Sequence, residues 1–316
     1  MPDNDKIIWV VNCVHRKTIQ SDQEMSISNY SSNPNSLLRN WIARISKPKS
    51  NLRAAVDLYA GANWNIVKNT ISQLPQIELW IVSAGYGLIR SDTEIESYQA
   101  TFQSGSDNYV GKDYEESGIY DSDQVWWSKL NEWKGPVEEM ERSFKSLLLN
   151  NPDTPIMISL SRKYFNAVSN DLKTAIEHFP QREKLFLLAS GTLPERLVPF
   201  HIPIHSRYTR KFNNTTYTIN FRTASEILTN FDSHKFDFPT VRQIIAKDFE
   251  TLSDLETYKR KPGTDSEILK IIDDLKRVTP NHSHSRLLRI FRDHGYACEQ
   301  SRFRDLYNQS SDISSN

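Results

Sequence analysis

The sequence predicts an α/β protein: a mostly parallel sheet flanked by helices, followed by a C-terminal helical domain of helix-turn-helix type. Short apolar runs at residues 7–14, 77–83, 156–160 and 184–188 read as buried strands. Amphipathic stretches separate them, and strands that alternate with helices pair in parallel. Near residue 250 the composition shifts, and a charged segment ends in Lys261-Pro-Gly263, a natural boundary.

The first strand, 7–14, ends in His15-Arg16-Lys17-Thr18, and a Ser- and Asn-rich loop runs on to Asn35. From Ser36 the chain turns helical, with Leu37, Leu38, Trp41 and Ile42 on one face, and residues 52–74 repeat that pattern. After the strand 77–83, residues 91–123 are acidic and lack long apolar runs, which predicts a loop or lid. Helical patterns at 126–133 and 137–149 precede the strand 156–160. A helix over 164–179 and a strand over 184–188 follow. Residues 215–220 alternate as a strand and lead into a helix at 223–228.

This gives an α/β domain over 1–250, a linker over 251–262, a helical domain over 263–309 and a disordered tail over 310–316. Within the helical domain the patterns fall at 265–277, 284–294 and 298–307, with Gly295 capping the second. Helix, glycine turn, helix is the helix-turn-helix pattern.

Composition narrows the function classes. The 316 residues carry 39 basic and 39 acidic side chains, so a nucleic-acid partner must be read from local charge. Cys13 and Cys298 form no metal-ligand spacing and read as reduced thiols. His201 and His205 are separated by Pro203, so they are not a helical metal pair, and no metal or cofactor is expected. With no signal peptide and no apolar run near ~20 residues, the expectation is a cytoplasmic protein away from membranes.

The chemistry-bearing stretch is Ser83-Ala-Gly-Tyr-Gly-Leu-Ile89, followed by Asp92, Glu94, Glu96 and Tyr98. A strand that ends in two glycines turns sharply and admits a close ligand. Gly85 and Gly87 lack the third glycine of a dinucleotide fingerprint, which argues against a Rossmann cofactor. In an extended segment Asp92, Glu94 and Glu96 would share one face, and clustered carboxylates suit acid–base work. From spacing alone, an exposed polar loop fits the strip better.

Asn12, His15 and Lys17 are placed to line the same sheet edge. Tyr59 and Trp64 are candidates to stack on a base, or core aromatics. Arg286, Arg289 and Arg292, three apart, form a basic helical stripe beside Arg302 and Arg304. Ser283 and Ser285 are placed to cap that helix, where a phosphate also fits. The stripe points to a nucleic-acid backbone, or to a solvated face.

Several of these segments resemble one family. Val10-Val-Asn-Cys-Val-His-Arg-Lys17 is similar to its opening strand, Ala55-Val-Asp-Leu-Tyr-Ala-Gly61 to its second motif, and Ser83–Ile89 with Ile95 and Tyr98 to its signature. That family is the YaaA-like superfamily of DNA-associated proteins, with relatives in phage-defence and base-modification loci. The acid after Gly-Leu-Ile comes one position early, at Asp92, with Thr93 where the family often has aspartate.

The chain as a whole resembles the anti-phage DNA glycosylases that remove glucosylated hydroxymethylcytosine from viral DNA. The resemblance implies a DNA partner, with Asp92 or Glu94 stabilising a sugar cation or activating water. It implies a base pocket shaped by Asn12, His15, Ser83, Tyr86, Gly87 and Tyr98. Phosphates would be held by Lys17, Ser283, Ser285, Arg286, Arg289, Arg292 and Arg302. It also admits a non-catalytic DNA-binding stress protein and a base-exchanging transglycosylase.

Overall fold

The computed structural model describes residues 6–30, 33–47, 51–212, 218–230, 236–252, 259–279 and 282–313. The chain divides into two compact units, 1–253 and 254–316, and the division falls inside the expected linker. Strands of the first unit are β1 (Ile7–Asn12), β2 (Arg53–Ala54), β3 (Ile77–Ser83), β4 (Gly87–Arg90), β5 (Glu94–Ile95), β6 (Ile156–Ser159), β7 (Leu185–Ser190) and β8 (His201–Ile204). Its first helices are α1 (Pro34–Ile45), α2 (Ala55–Leu58), α3 (Ala62–Gln73), α4 (Lys112–Glu116), α5 (Ser122–Asn131) and α6 (Phe144–Asn150). They are followed by α7 (Arg162–His178), α8 (Tyr208–Lys211), α9 (Ile219–Asn230) and α10 (Phe238–Thr251).

Six strands form one sheet in the order β4-β3-β1-β6-β7-β8. Every neighbouring pair is parallel except β3 with β4. All six residues of β1 are buried, which explains why the strand reads as an unbroken apolar run rather than an alternating one. Helices α1, α5, α6 and α7 form one packed group, and α3 packs with α9. From β1 the chain goes first to β3 on one side and later to β6 on the other. The carboxyl ends of β1 and β6 are therefore the switch point of the sheet, where ligands of open α/β folds bind.

Several expectations are corrected. Residues 91–123 are not an open lid: Ile95, Tyr98, Phe102, Val110 and Tyr114 are core, and β5 and α4 lie within the segment. The pattern over 52–74 breaks after α2, because Tyr59 is extended (ψ 151°) and Gly61, at φ 103°, is the N-cap from which α3 starts. Tyr59 and Trp64 are buried core aromatics rather than stacking platforms.

Ile219 and Asn220, read as the end of a strand, open α9, and residues 213–217 lie outside the described residues. Residues 137–143 are non-helical, and only Phe144–Asn150 of the stretch 137–149 winds. Two strands of the six-stranded sheet were not foreseen, β4 and β8, which carry Gly87 and Pro203 respectively, nor were the two-residue strands β2 and β5. No helix among the described residues is long and apolar enough to cross a membrane.

The second unit holds β9 (Lys261–Pro262), α11 (Asp265–Val278), α12 (His284–Asp293), β10 (Tyr296–Ala297) and α13 (Gln300–Ile313). A small core of Ile268, Ile272, Leu287, Leu288, Phe291, Cys298, Phe303 and Leu306 joins the helices. A capping box, Thr264 with Glu267, starts α11. After α12 the chain turns at Gly295 (φ 85°) and enters β10, which pairs in parallel with β9. A strand therefore stands where a plain helix-turn-helix has only a turn. The expected tail is helical as far as Ile313, and Ser310 is buried.

Candidate functional site at the carboxyl edge of the sheet

The segments singled out in the sequence meet at the carboxyl edge of β1 and β3. The Ser83 and Tyr98 hydroxyls share a hydrogen bond of 2.6 Å, and Tyr98 shares a second of 2.9 Å with Tyr59. Ser83 Oγ also accepts from the Tyr86 backbone N–H at 3.0 Å. These three side chains are sealed, with Tyr98 and Ser83 at 0 % exposure and Tyr59 at 1 %. Burial raises the Tyr59 and Tyr98 phenols well above the usual range, so both stay protonated at neutral pH.

Lys17 covers this network. Its ammonium stands 4.3 Å from the centre of the Tyr98 ring and 5.8 Å from that of Tyr59. Nζ donates to the His15 carbonyl at 3.3 Å, and Lys17 bridges in antiparallel fashion to Tyr59. Among the described residues no carboxylate lies within ion-pair distance of Nζ. Burial lowers the Lys17 amine to about 8, partly offset by the neighbouring Cys13.

The N-terminus of α7 is tied to the same edge. Asn12 Oδ1 accepts from the Ser161 N–H at 2.9 Å, and Cys13 Sγ lies 3.1 Å from the Tyr164 hydroxyl. Asn12 is thereby engaged with backbone, since its Nδ2 donates to the Cys13 carbonyl. The positive end of a 17-residue helix and the Lys17 amine thus stand at the switch point, which favours an anion there. His15 is exposed on the outgoing turn.

The two carboxylates expected to be catalytic stand elsewhere. Asp92 and Glu94 line an open cleft of about 600 Å³ with Tyr86, Trp133, Met140, Glu138 and Glu141. Asn12, His15, Lys17, Ser83 and Tyr98 are not part of its lining. The single pocket expected from the sequence is therefore divided. Tyr86 links its halves, with its ring 5.2 Å from Tyr98 on one side and 6.4 Å from Trp133 on the other.

Asp92 is held by Arg90 through two hydrogen bonds of 2.7 and 2.9 Å. Glu96 does not share the face of Asp92 and Glu94. The extended segment β5 ends at Ile95, and Glu96 turns inward to pair with Arg44 at 2.8 Å.

The glycine segment is packed by protein. Trp126 donates to the Ala84 carbonyl and Trp41 to the Gly85 carbonyl, both at 2.8 Å. A side chain at Gly85 would place Cβ 2.5 Å from the Tyr98 ring. Gly87 adopts φ 75° to make the β3–β4 turn. Arg142 closes this turn, donating at 2.6 Å to both the Tyr86 and the Leu88 carbonyls, and burial lowers its guanidinium to about 10.

Sequence reasoning did not name Arg142, Trp133, Cys13 or Tyr164 as site residues. Only Cys13 carried a signal, its place at the end of β1. Among the described residues no cluster of three or more His, Cys, Asp or Glu is arranged to hold a metal ion.

In the second unit, Arg286 and Arg289 project from α12 as exposed side chains. Arg292 is half-buried and donates to the Cys298 carbonyl at 2.8 Å. Arg302 is engaged by Asp265 and the Gly263 carbonyl. The expected stripe is thus two exposed arginines, with Arg292 and Arg302 spent on internal contacts. Ser283 is the N-cap residue of α12, although its side chain makes no capping bond, and Ser285 Oγ meets His284 Nε2 at 3.1 Å.

The sheet order and the edge cluster define an α/β protein wound in both directions from β1, with a separate small helical unit. No protein-family model, no curated protein and no solved structure matches the chain.

Proposed function

We propose that the chain is a DNA glycosylase that flips a modified base out of viral DNA and hydrolyses its N-glycosyl bond in anti-phage defence. Glucosylated hydroxymethylcytosine is the first substrate to test. The observation that carries the reading is the convergence of residues from three separate segments, Lys17, Tyr59 and Ser83 with Tyr98, at the carboxyl edge of β1 and β3, next to the switch point between β1 and β6. A flipped nucleotide brings a phosphate, a sugar and a flat base to one place. The α7 N-terminus and Lys17 suit the phosphate.

The neighbouring cleft joins aromatic rings to carboxylates, the composition that a stacked base and a sugar cation call for. Glu94 is the better candidate there, because Arg90 already occupies Asp92. Arg286 and Arg289 supply the phosphate contacts of the second unit.

Mass spectrometry of bases released from glucosylated phage DNA, with an assay for abasic sites, tests the reading. D92N and E94Q are the diagnostic variants. Loss of release in E94Q with DNA binding retained supports it. Full activity in both variants removes these carboxylates from the chemistry, and absence of any abasic product on any modified DNA removes the glycosylase.

A second reading is a DNA binder without catalysis. What favours it is that Ser83–Ile89 is entirely buried and Asp92 is neutralised by Arg90.

A further inference from the structure

Lys17 is a half-buried amine at the open edge of a parallel sheet, set over an aromatic face and contacting one carbonyl, with no acid among the described residues to hold its charge. A structural lysine normally keeps its ammonium in water or pairs it with a carboxylate. Here burial outweighs the ring and carbonyl contacts, which favour the ammonium, and loosens its hold on the proton. With the amine lowered to about 8, the free-base fraction at pH 7 exceeds that of an ordinary lysine on the order of a hundredfold. A desolvated lysine of this kind is how proteins make a nitrogen nucleophile for carbonyl carbon.

We propose that Lys17 is a nucleophilic amine that captures the C1′ aldehyde of an abasic deoxyribose as a covalent imine. The choice of a sugar aldehyde rests on the glycosylase reading; the reactivity of the amine does not. The Nζ lone pair attacks C1′ of the ring-opened sugar, and the carbonyl π electrons move onto oxygen, which takes a proton from the nitrogen. The carbinolamine then loses that oxygen as water, using a second proton from nitrogen, and the C=N bond forms. The helix N-terminus beside Asn12 and Cys13 holds the adjacent phosphate while this happens. Tyr59 and Tyr98, kept protonated by burial, do not compete as nucleophiles.

The test uses the full chain, an oligonucleotide carrying a preformed abasic site, and cyanoborohydride. This reagent delivers hydride to the imine carbon and leaves a stable secondary amine. The expected result is one cross-linked species whose adduct maps to Lys17 by peptide mass spectrometry. It falls at least about tenfold in K17R, which keeps the cation and its ring contact but forms no imine. K145A, an exposed lysine of α6 outside the proposed site, retains cross-linking, and circular dichroism melts show that each variant is folded.

An adduct spread over surface lysines, an adduct unchanged in folded K17R, or no adduct at all overturns the inference. Because the abasic site is supplied, the two readings fail separately. Capture at Lys17 without base release removes only the glycosylase, and base release without capture removes only the imine.

Discussion

The Tyr98 hydroxyl stands 2.6 Å from Ser83 Oγ and 2.9 Å from the Tyr59 hydroxyl, so one phenol joins the end of β3 to the turn after α2. Each group in this chain is buried, and each depends on the next for its hydrogen bond. Y98F leaves the Tyr59 hydroxyl without this partner and is expected to cost about 1–3 kcal/mol. The Y59F/Y98F pair is expected to cost less than the sum of the single changes, because no orphaned phenol remains. Urea unfolding of the four proteins in the cycle measures this, and strict additivity would contradict it.

Asp123 gives the pH dependence a direction. Burial lifts its carboxyl from 3.8 to about 6, and the Glu115 charge adds to the rise. A folded-state value above the unfolded one means that the native protein binds this proton more tightly. The associated stability is complete below about pH 4 and is lost as pH rises through about 6. A neutral carboxamide mimics the protonated carboxyl, so D123N is expected to melt about 2–4 °C above the parent at pH 8, with little difference at pH 5. Calorimetry at the two pH values decides it; an equal gain at both would show that protonation is not the cause.

The exposed pair on α12 separates binding arginines from structural ones. If the second unit holds DNA through phosphates, R286A and R289A should each flatten the dependence of log affinity on log salt by about one. The weakening should be similar for all sequences. R302A should change the slope far less, since Asp265 already takes its guanidinium. Titrations at several salt concentrations read this out, and a larger effect of R302A than of R289A would reverse the assignment.

Much of the frame was legible because buried parallel strands announce themselves as apolar runs. β1, β3, β6 and β7 all sit where such runs fall, within a residue or two. β4 and β8 escaped because Gly87 and Pro203 read as breakers. A hairpin edge tolerates a glycine at φ 75°, and Pro203 sits in β8, the strand at the opposite edge of the sheet.

The site was half legible. Ser83, Tyr98 and Lys17 could be placed on one edge because two of them follow strand ends. The side toward which Asp92, Glu94 and Glu96 point could not, since it depends on where a two-residue strand stops. Arg142 and Trp133 were missed for a different reason: the stretches that carry them, 126–133 and 137–149, read as helical patterns, but both residues lie in non-helical backbone beside the glycine turn.

The Arg142 side chain sets an order of events during synthesis. The Leu88 carbonyl at the β3–β4 turn finds its donor 54 residues further along the chain. A nascent chain that has already made β3 and β4 therefore carries that carbonyl without its Arg142 donor. It stays so until residue 142 follows, and over that interval the growing polypeptide is the species a chaperone would meet.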